Sequence, residues 1–368
     1  MEIIHLILGK ANPNRMNGVN KVVYQLATKQ AESGKNVSVW GITKDLTHNY
    51  GERNFETILF KAKKNPFLIG RNLKDSIRKK KGKATFHLHG GWIPTYSTIS
   101  RFLSKNNIPF VITPHGNYNA VSMQQSRLKK KIYFKLFEKA LLQRVHKVHS
   151  LGESEVEGLQ KIFPNNKSHL FPYGFDVNEM KKYEQSDNSE FIIGFMGRID
   201  IFHKGLDILL DSFRGFQKIE PNSKLWIIGD SDERPKLQEI IAKNNLEQKV
   251  VLWGSKFGEE KEELMRQMHI FVHSSRMEGM PTSVLEASNL GIPSVVTTAT
   301  NIGSYIKRMN AGLAVENENQ EALVQAFNIM NQKRKRNELS QMAENAATMV
   351  REVFNWDNSI REFDKLYN

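Results

Sequence analysis

The chain has 368 residues, with 53 Lys and Arg against 39 Asp and Glu, and no cysteine. That length suits about two domains, and the missing thiols exclude disulfide scaffolds, thiolate zinc sites and cysteine nucleophiles. With 39% apolar and 25% charged residues, the composition is neither that of a disordered chain nor that of an integral membrane protein.

No run approaches the roughly 18 consecutive apolar residues of a spanning helix. The opening Met1–Leu8 has no basic flank, so it reads as a buried strand rather than a signal peptide. A cysteine-free chain of this kind suits a reducing, cytoplasmic setting. The charge is lopsided. Residues 1–185 carry 31 basic and 13 acidic side chains, a balance of +18, and the remainder balances at −4. A basic first half attracts an anionic partner: a lipid surface, a phosphorylated substrate or nucleic acid.

In chain order, the strand Met1–Leu8 leads to a helical pattern over Gly18–Ser33, with Val22, Val23, Leu26 and Ala27 on its apolar face. Strands follow at Asn36–Gly41 and Thr85–His89, a helix at Tyr96–Lys105 and a strand at Phe110–Thr113. Arg127–Val148 predicts one long helix, with Leu128, Ile132, Leu136 and Leu141 near one face. Pro172–Asp176 and the polar stretch Lys181–Glu190 then interrupt the pattern. It restarts with strands at Phe191–Met196, Lys224–Ile228, Val250–Trp253, Ile270–His273 and Ser294–Thr297. Alternation of strand and helix implies parallel sheets covered on both faces. The expectation is two doubly wound α/β domains facing across a cleft, with ligands beyond the carboxyl ends of the strands.

Three strand ends carry candidate chemistry. The first is Glu278-Gly279-Met280-Pro281-Thr282-Ser283-Val284-Leu285-Glu286, which follows one strand and opens a helix. Pro281 sits where a missing N–H costs nothing. The bare amides of the first turn suit a phosphate, and Glu278 and Glu286 can each accept from hydroxyls. A nucleotide sugar fits this set, although a turn glutamate and a solvated helix glutamate would look the same. The second is Gly197–Gly205, where Arg198 and Lys204 leave one glycine-bounded turn and can grip a diphosphate. An ordinary solvated basic turn is its rival reading. The third is Thr113-Pro114-His115-Gly116, where His115 can reach a sugar hydroxyl or simply occupy a turn.

Other features are weaker. His87 and His89 resemble a metal pair, but no carboxylate follows at a useful spacing, so structural or acceptor-side roles are favoured. Asp230-Ser231-Asp232 resembles a metal–diphosphate pair, yet the nearby cations already supply positive charge. The loop Asn12–Gly18 lacks the G-x-G-x-x-G fingerprint. Basic runs at Lys61–Lys64, Lys79–Lys83 and Lys129–Lys131 lie beside Phe67, Leu68, Ile69, Ile132, Tyr133 and Phe134. Such a mixture can dock on anionic lipid, or be a solvated helix face over core contacts.

Taken together, these residues resemble the retaining glycosyltransferases of family 4 (glycosyl transferases group 1), which have the GT-B fold. The order is the family's: Asn17-Gly18-Val19, then Thr113-Pro114-His115-Gly116, then Arg198 to Lys204, then Glu278 and Glu286 as its E-x7-E signature. The final stretch, Phe354 to Tyr367, resembles the helix that crosses back to the first domain. The resemblance implies an N-terminal acceptor-side domain over 1–174, with 352–368 packing on it, and a nucleotide-sugar domain over 175–351. It implies that Glu278 contacts the donor sugar and Glu286 holds the ribose. Arg198 and Lys204 stabilise the leaving diphosphate. The backbone around Met280–Val284 and at Gly18 faces phosphates or sugar, and His115 supports the sugar. Catalysis is expected without a bound metal, by front-face attack with retention, after domain closure. Asn17 replaces the first glycine of the common pair and narrows the backbone's approach.

The expected activity is hexose transfer from a nucleotide-diphosphate sugar to an acceptor hydroxyl. The acceptor expected is a lipid-linked glycan of bacterial surface polysaccharide, such as capsule or lipopolysaccharide. The basic domain is expected to give peripheral contact with the inner face of the membrane. A nucleotide-sugar epimerase, or a phosphorylase of the same fold, is the alternative. A catalytically dead scaffold and a nucleic-acid-binding protein are more remote, the latter because no recognition module accompanies the charge.

Overall fold

The computed structural model describes residues 1–12, 18–48, 50–119, 123, 127–177 and 189–368. Asn17, most of the Asn12–Gly18 loop and residues 181–188 of the polar interruption lie outside them. The chain divides into two compact units, Met1–Gly174 with Trp356–Asn368, and Phe175–Asn355. Residues 352–355 thus stay with the second unit.

The first unit is built on β1 (Glu2–Leu8), β2 (Val37–Thr43), β3 (Glu56–Lys61), β4 (Ala84–His89), β5 (Phe110–Thr113), β6 (Val148–Ser150) and β7 (Ser168–Leu170). They form one parallel sheet in the order β3-β2-β1-β4-β5-β6-β7. The second unit carries β8 (Phe191–Met196), β9 (Ser223–Ile228), β10 (Val250–Gly254), β11 (Ile270–His273), β12 (Ser294–Thr297) and β13 (Gly312–Val315). Its order is β10-β9-β8-β11-β12-β13, again parallel. Both sheets reverse direction at an equivalent place, between β1 and β4 and between β8 and β11. Those switch points are where a doubly wound sheet leaves a crevice for ligand.

The central strands are buried on both faces, as helix-covered parallel strands must be. Every residue of β4, ATFHLH, is buried, including His87 and His89. The helix Gly18–Glu32 buries Val23, Leu26, Ala27 and Gln30. The terminal helix Trp356–Tyr367 buries Trp356, Ile360, Phe363 and Leu366. It belongs to the first unit, and a Cβ on Gly174 would meet the Trp356 ring at 2.3 Å.

In the second unit the ends of β8 and β9 touch at backbone level. Gly229 has φ +145°, and a Cβ there would stand 1.9 Å from the Gly197 carbonyl oxygen. Gly229→Ala therefore forces apart the strand ends that carry Arg198. A loss of about 2 kcal/mol or more is expected, read as a lower urea midpoint at unchanged slope.

The long helix expected over Arg127–Val148 is instead broken. It runs as Arg127–Tyr133, a π-helical turn Phe134–Glu138, and Lys139–Arg144. The wider π turn shifts the helical register. Leu141 is buried with Leu142, whereas Leu128, Ile132 and Leu136 are 72%, 53% and 62% exposed. Those three are not core residues, and they do not share a face with Leu141. Strands β3, β6, β7 and β13 went unpredicted. The first is a half-exposed edge with lysine at its end, and the next two span three residues each.

Candidate active site

The second unit gathers its candidates at the β8/β11 switch point. After β8, Gly197–Gly205 folds around Asp200. Its carboxylate accepts from Arg198 Nη2 at 2.7 Å and from the His203 backbone N–H and ring Nδ1 at 2.9 Å each. Burial alone would raise the Asp200 carboxyl, but His203 and Arg198 hold it below the usual carboxylate range. The Arg198 side chain stays 58% exposed, so its guanidinium can still meet a ligand. The turn ends at Gly205, whose φ is +63° and whose missing Cβ would lie 2.3 Å from the Ser274 carbonyl oxygen. Ser274 Oγ donates to the carbonyl of Lys204 at 3.0 Å.

This packing delivers Lys204 to the loop after β11. Lys204 Nζ donates to Glu278 Oε2, and His273 Nε2 stands 3.4 Å from the same oxygen. Burial pushes the Glu278 carboxyl up, but Lys204 and His273 outweigh it and hold the group down to about 2. Glu278 is therefore a fixed anion that can accept from sugar hydroxyls. Its backbone is pinned too. Its N–H donates to the Ala299 carbonyl at 3.3 Å, and Asn301 Nδ2 donates to its carbonyl at 3.0 Å.

Arg276 ties the two loops together. Its guanidinium forks onto Asp207 at 2.8 and 2.9 Å, reaches Glu318 at 2.7 Å and donates to the Phe202 carbonyl at 2.8 Å. Arg276→Ala should cost about 1–2 kcal/mol, because its partners are partly solvated and the pairs are screened. Thermal unfolding measures it.

The helix Thr282–Asn289 opens at Pro281 with no side-chain cap. Its first N–H groups therefore face outward with the positive end of the helix dipole. Gly279 and Met280 form the turn leading in, and Val284 N–H is used internally, donating to the Pro281 carbonyl at 3.1 Å. Of the expected amides, Val284 is thus spent on the helix and Pro281 has none, which leaves those of Met280, Thr282 and Ser283. Glu286 lies one turn on. Lys261 Nζ, from the helix Gly258–Arg266, donates to Glu286 Oε2 at 2.6 Å.

In the first unit, His115 follows β5 with φ +55°. Glu155, wholly buried, holds its turn by accepting from the Gly116 N–H at 2.7 Å and the Leu151 N–H at 3.0 Å. His115 stacks on Tyr173 with ring centroids 5.8 Å apart, and its Nε2 lies 3.1 Å from His89 Nδ1. Burial drops the His115 imidazole to about 3, so it is neutral. Gly18 opens its helix, and among the described residues nothing lies within 4 Å of where its Cβ would stand. The glycine that the first turn needs is Gly9, at φ +136°, where a Cβ would strike Asn20 Oδ1 at 2.5 Å.

His87 and His89 lie in the interior with His5, and ring nitrogens of the three come within 4.8 Å of one another. Each of these nitrogens already has a hydrogen-bond partner. Asp230 pairs with Arg234 at 3.0 Å. Sequence reasoning missed Lys261, Arg276, Asp200 and His273. Only His273, ending a strand five residues before Glu278, carried a legible positional signal.

Two doubly wound units of equivalent strand order, with cations and carboxylates at the switch point of the second, define the GT-B class. The family models agree with the halves: Glycosyltransferase Family 4 matches residues 16–179, and Glycosyl transferases group 1 matches residues 176–349. An uncharacterized glycosyltransferase of Methanocaldococcus jannaschii is 27% identical over 220 residues, 56% of this chain and 52% of that protein, so the match spans about half of its length. The capsular polysaccharide biosynthesis glycosyltransferase CapM of Staphylococcus aureus is 26% identical over 48% of this chain and 43% of CapM. The crystal structure of Anabaena HepE in complex with UDP-glucose superposes with a TM-score of 0.73 at 15% identity, covering 99% of this chain and 98% of that one. The chain belongs to the family 4 glycosyltransferases of GT-B fold. Among the described residues, no helix is long and apolar enough to cross a membrane.

Proposed function

We propose that the chain transfers a hexose, with retention, from a nucleotide-diphosphate sugar to an acceptor hydroxyl. The observation that carries this reading is the Lys204–Glu278 pair at the β8/β11 switch point, beside Arg198 and an uncapped helix start. Glu278 takes the sugar's hydroxyls. Arg198, Lys204 and the amides of Met280, Thr282 and Ser283 take the diphosphate, and Glu286 takes the ribose. HepE, of like fold, was crystallised with UDP-glucose. In this reading the acceleration comes from positioning and from stabilising charge on the leaving diphosphate. His115 supports the sugar from the first unit, the acceptor hydroxyl attacks on the face the nucleotide leaves, and no resident metal takes part.

The test is product analysis with a matched donor. Transfer should require acceptor, keep the anomeric configuration by NMR, and persist in EDTA. Sugar interconversion without acceptor would favour an epimerase, and dependence on inorganic phosphate a phosphorylase.

The acceptor proposed is a lipid-linked glycan of surface polysaccharide assembly, the pathway in which CapM's name places it. The basic first half supports this, as do Leu128, Ile132 and Leu136, which lie four residues apart among Lys129, Lys130, Lys131 and Lys135 and are exposed. An apolar stripe edged by lysines suits an anionic leaflet, at about 1 kcal/mol per lysine near the surface. The protein should therefore sediment with phosphatidylglycerol vesicles at low salt and far less at high salt. Leu128→Ser with Ile132→Ser should weaken that binding at least tenfold. No binding at low salt would remove the membrane from the account.

A further inference from the structure

Five imidazoles in the first unit form one unbroken hydrogen-bonded chain, of which the reading above uses only the end. Its direction is dictated by a group that can only accept. The Phe171 carbonyl lies 2.9 Å from His149 Nε2, so that nitrogen carries the hydrogen. His149 Nδ1 then accepts from Thr113 Oγ1 at 2.9 Å. The Thr113 oxygen accepts from His87 Nε2 at 2.6 Å, which leaves His87 Nδ1 to accept from the Tyr367 hydroxyl at 2.9 Å. The Tyr367 oxygen accepts from Gln30 Nε2 at 3.1 Å, so the Gln30 amide faces one way only. Gln30 Oε1 accepts from His5 Nε2 at 2.6 Å. His5 Nδ1 accepts from His89 Nε2 at 2.9 Å, and His89 Nδ1 accepts from His115 Nε2 at 3.1 Å. The sequence of donors requires neutral rings. Burial lowers all five, His5 to about 4 and His115 and His149 to about 3.

We propose that this chain is a tautomer clamp, which holds His115 as its Nε2–H form with an unprotonated Nδ1. Tyr367 and Gln30 are its positioning residues, although both are remote in sequence from His115. The clamp cannot carry a proton away, because it ends on a carbonyl. It fixes instead what His115 offers: Nδ1 accepts from a hydroxyl and cannot donate to a group that only accepts. That last consequence rests on the reading of His115 as a sugar-supporting residue.

The test is two-bond 1H–15N correlation of the ring nitrogens in the full, unliganded chain labelled with 15N-histidine, near pH 7. The His115 nitrogens should be widely split, with Nδ1 bare and Nε2 protonated. Tyr367→Phe keeps the ring but frees the Gln30 amide to turn, and Thr113→Val cuts the chain from its carbonyl anchor. In both variants the His115 splitting should shrink as two tautomers exchange. Transfer should fall by about twofold, the fraction of the competent form lost. A protonated Nδ1 in the native chain would overturn the proposal, as would unchanged splitting in both variants. So would one equivalent of Zn2+ displacing the ring protons of His5, His87 and His89, which would make the cluster a metal centre. Full transferase activity in His115→Ala, with the expected spectra, would sink the sugar-supporting role and leave the clamp standing.

Discussion

Lys204→Met is expected to lower kcat by about 10²–10³-fold, the usual cost of removing one charge-stabilising donor. Two effects add. The leaving diphosphate loses a cation, and Glu278 loses the partner that outweighs its burial. In the native protein the Glu278 carboxyl, at about 2 against an ordinary 4.5, stays ionised across the working pH range. Its folded value is depressed, so its contribution to stability is full above pH 4.5 and fades as pH falls toward 2. Without Lys204, burial is opposed by His273 alone, and the carboxyl rises. The variant's rate and stability should therefore decline at a higher pH on the acid side than the native protein's. A pH–rate profile of Lys204→Met with an unmoved acid limb would show that the pair does not govern Glu278.

Glu286→Ala should raise the donor's dissociation constant by about 10- to 100-fold, because it deletes a charged hydrogen-bond acceptor. The turnover at saturating donor should change far less, since the ribose is distant from the reacting bond and binds alike in ground and transition states. Lys261→Ala should give a smaller rise. It leaves the carboxylate in place but takes away the 2.6 Å contact that orients it. Isothermal titration with the free nucleotide separates the two. Equal losses in both variants would mean that Lys261 itself touches the nucleotide.

The strand ends of the second unit were the most legible part of the chain. Phe191–Met196, Ile270–His273 and Ser294–Thr297 are apolar, short and followed by turn residues, and each forms the strand expected. Glu278, Glu286, Arg198 and Lys204 stood out as candidates because strand, turn and helix put them at fixed offsets along the chain. Lys261 could not. It sits among glutamates in a helix with no special spacing, 25 residues before the carboxylate it pairs with. The histidine chain was equally hidden. His87 and His89 alternate along a strand as any inward pair would, and only the parallel order β1-β4-β5-β6 brings them to His5, Thr113 and His149. The helix over Arg127–Arg144 misled because Leu128, Ile132 and Leu136 recur every four residues, as a core-facing stripe does, yet all three are exposed, and the π turn at Phe134–Glu138 interrupts the helix before Leu141.

The account stands most directly on donor binding by the second unit. Thermal unfolding with UDP-, GDP- and ADP-sugars in turn, for the native chain and for Glu286→Ala, measures it. One nucleotide class should stabilise the native protein by about 2.7 kcal/mol at a hundredfold excess over its dissociation constant, and at the same concentration the gain should fall to about 0.4–1.4 kcal/mol in the variant. Stabilisation by none of them, or an equal gain in Glu286→Ala, would contradict a nucleotide-sugar site at Glu278–Glu286.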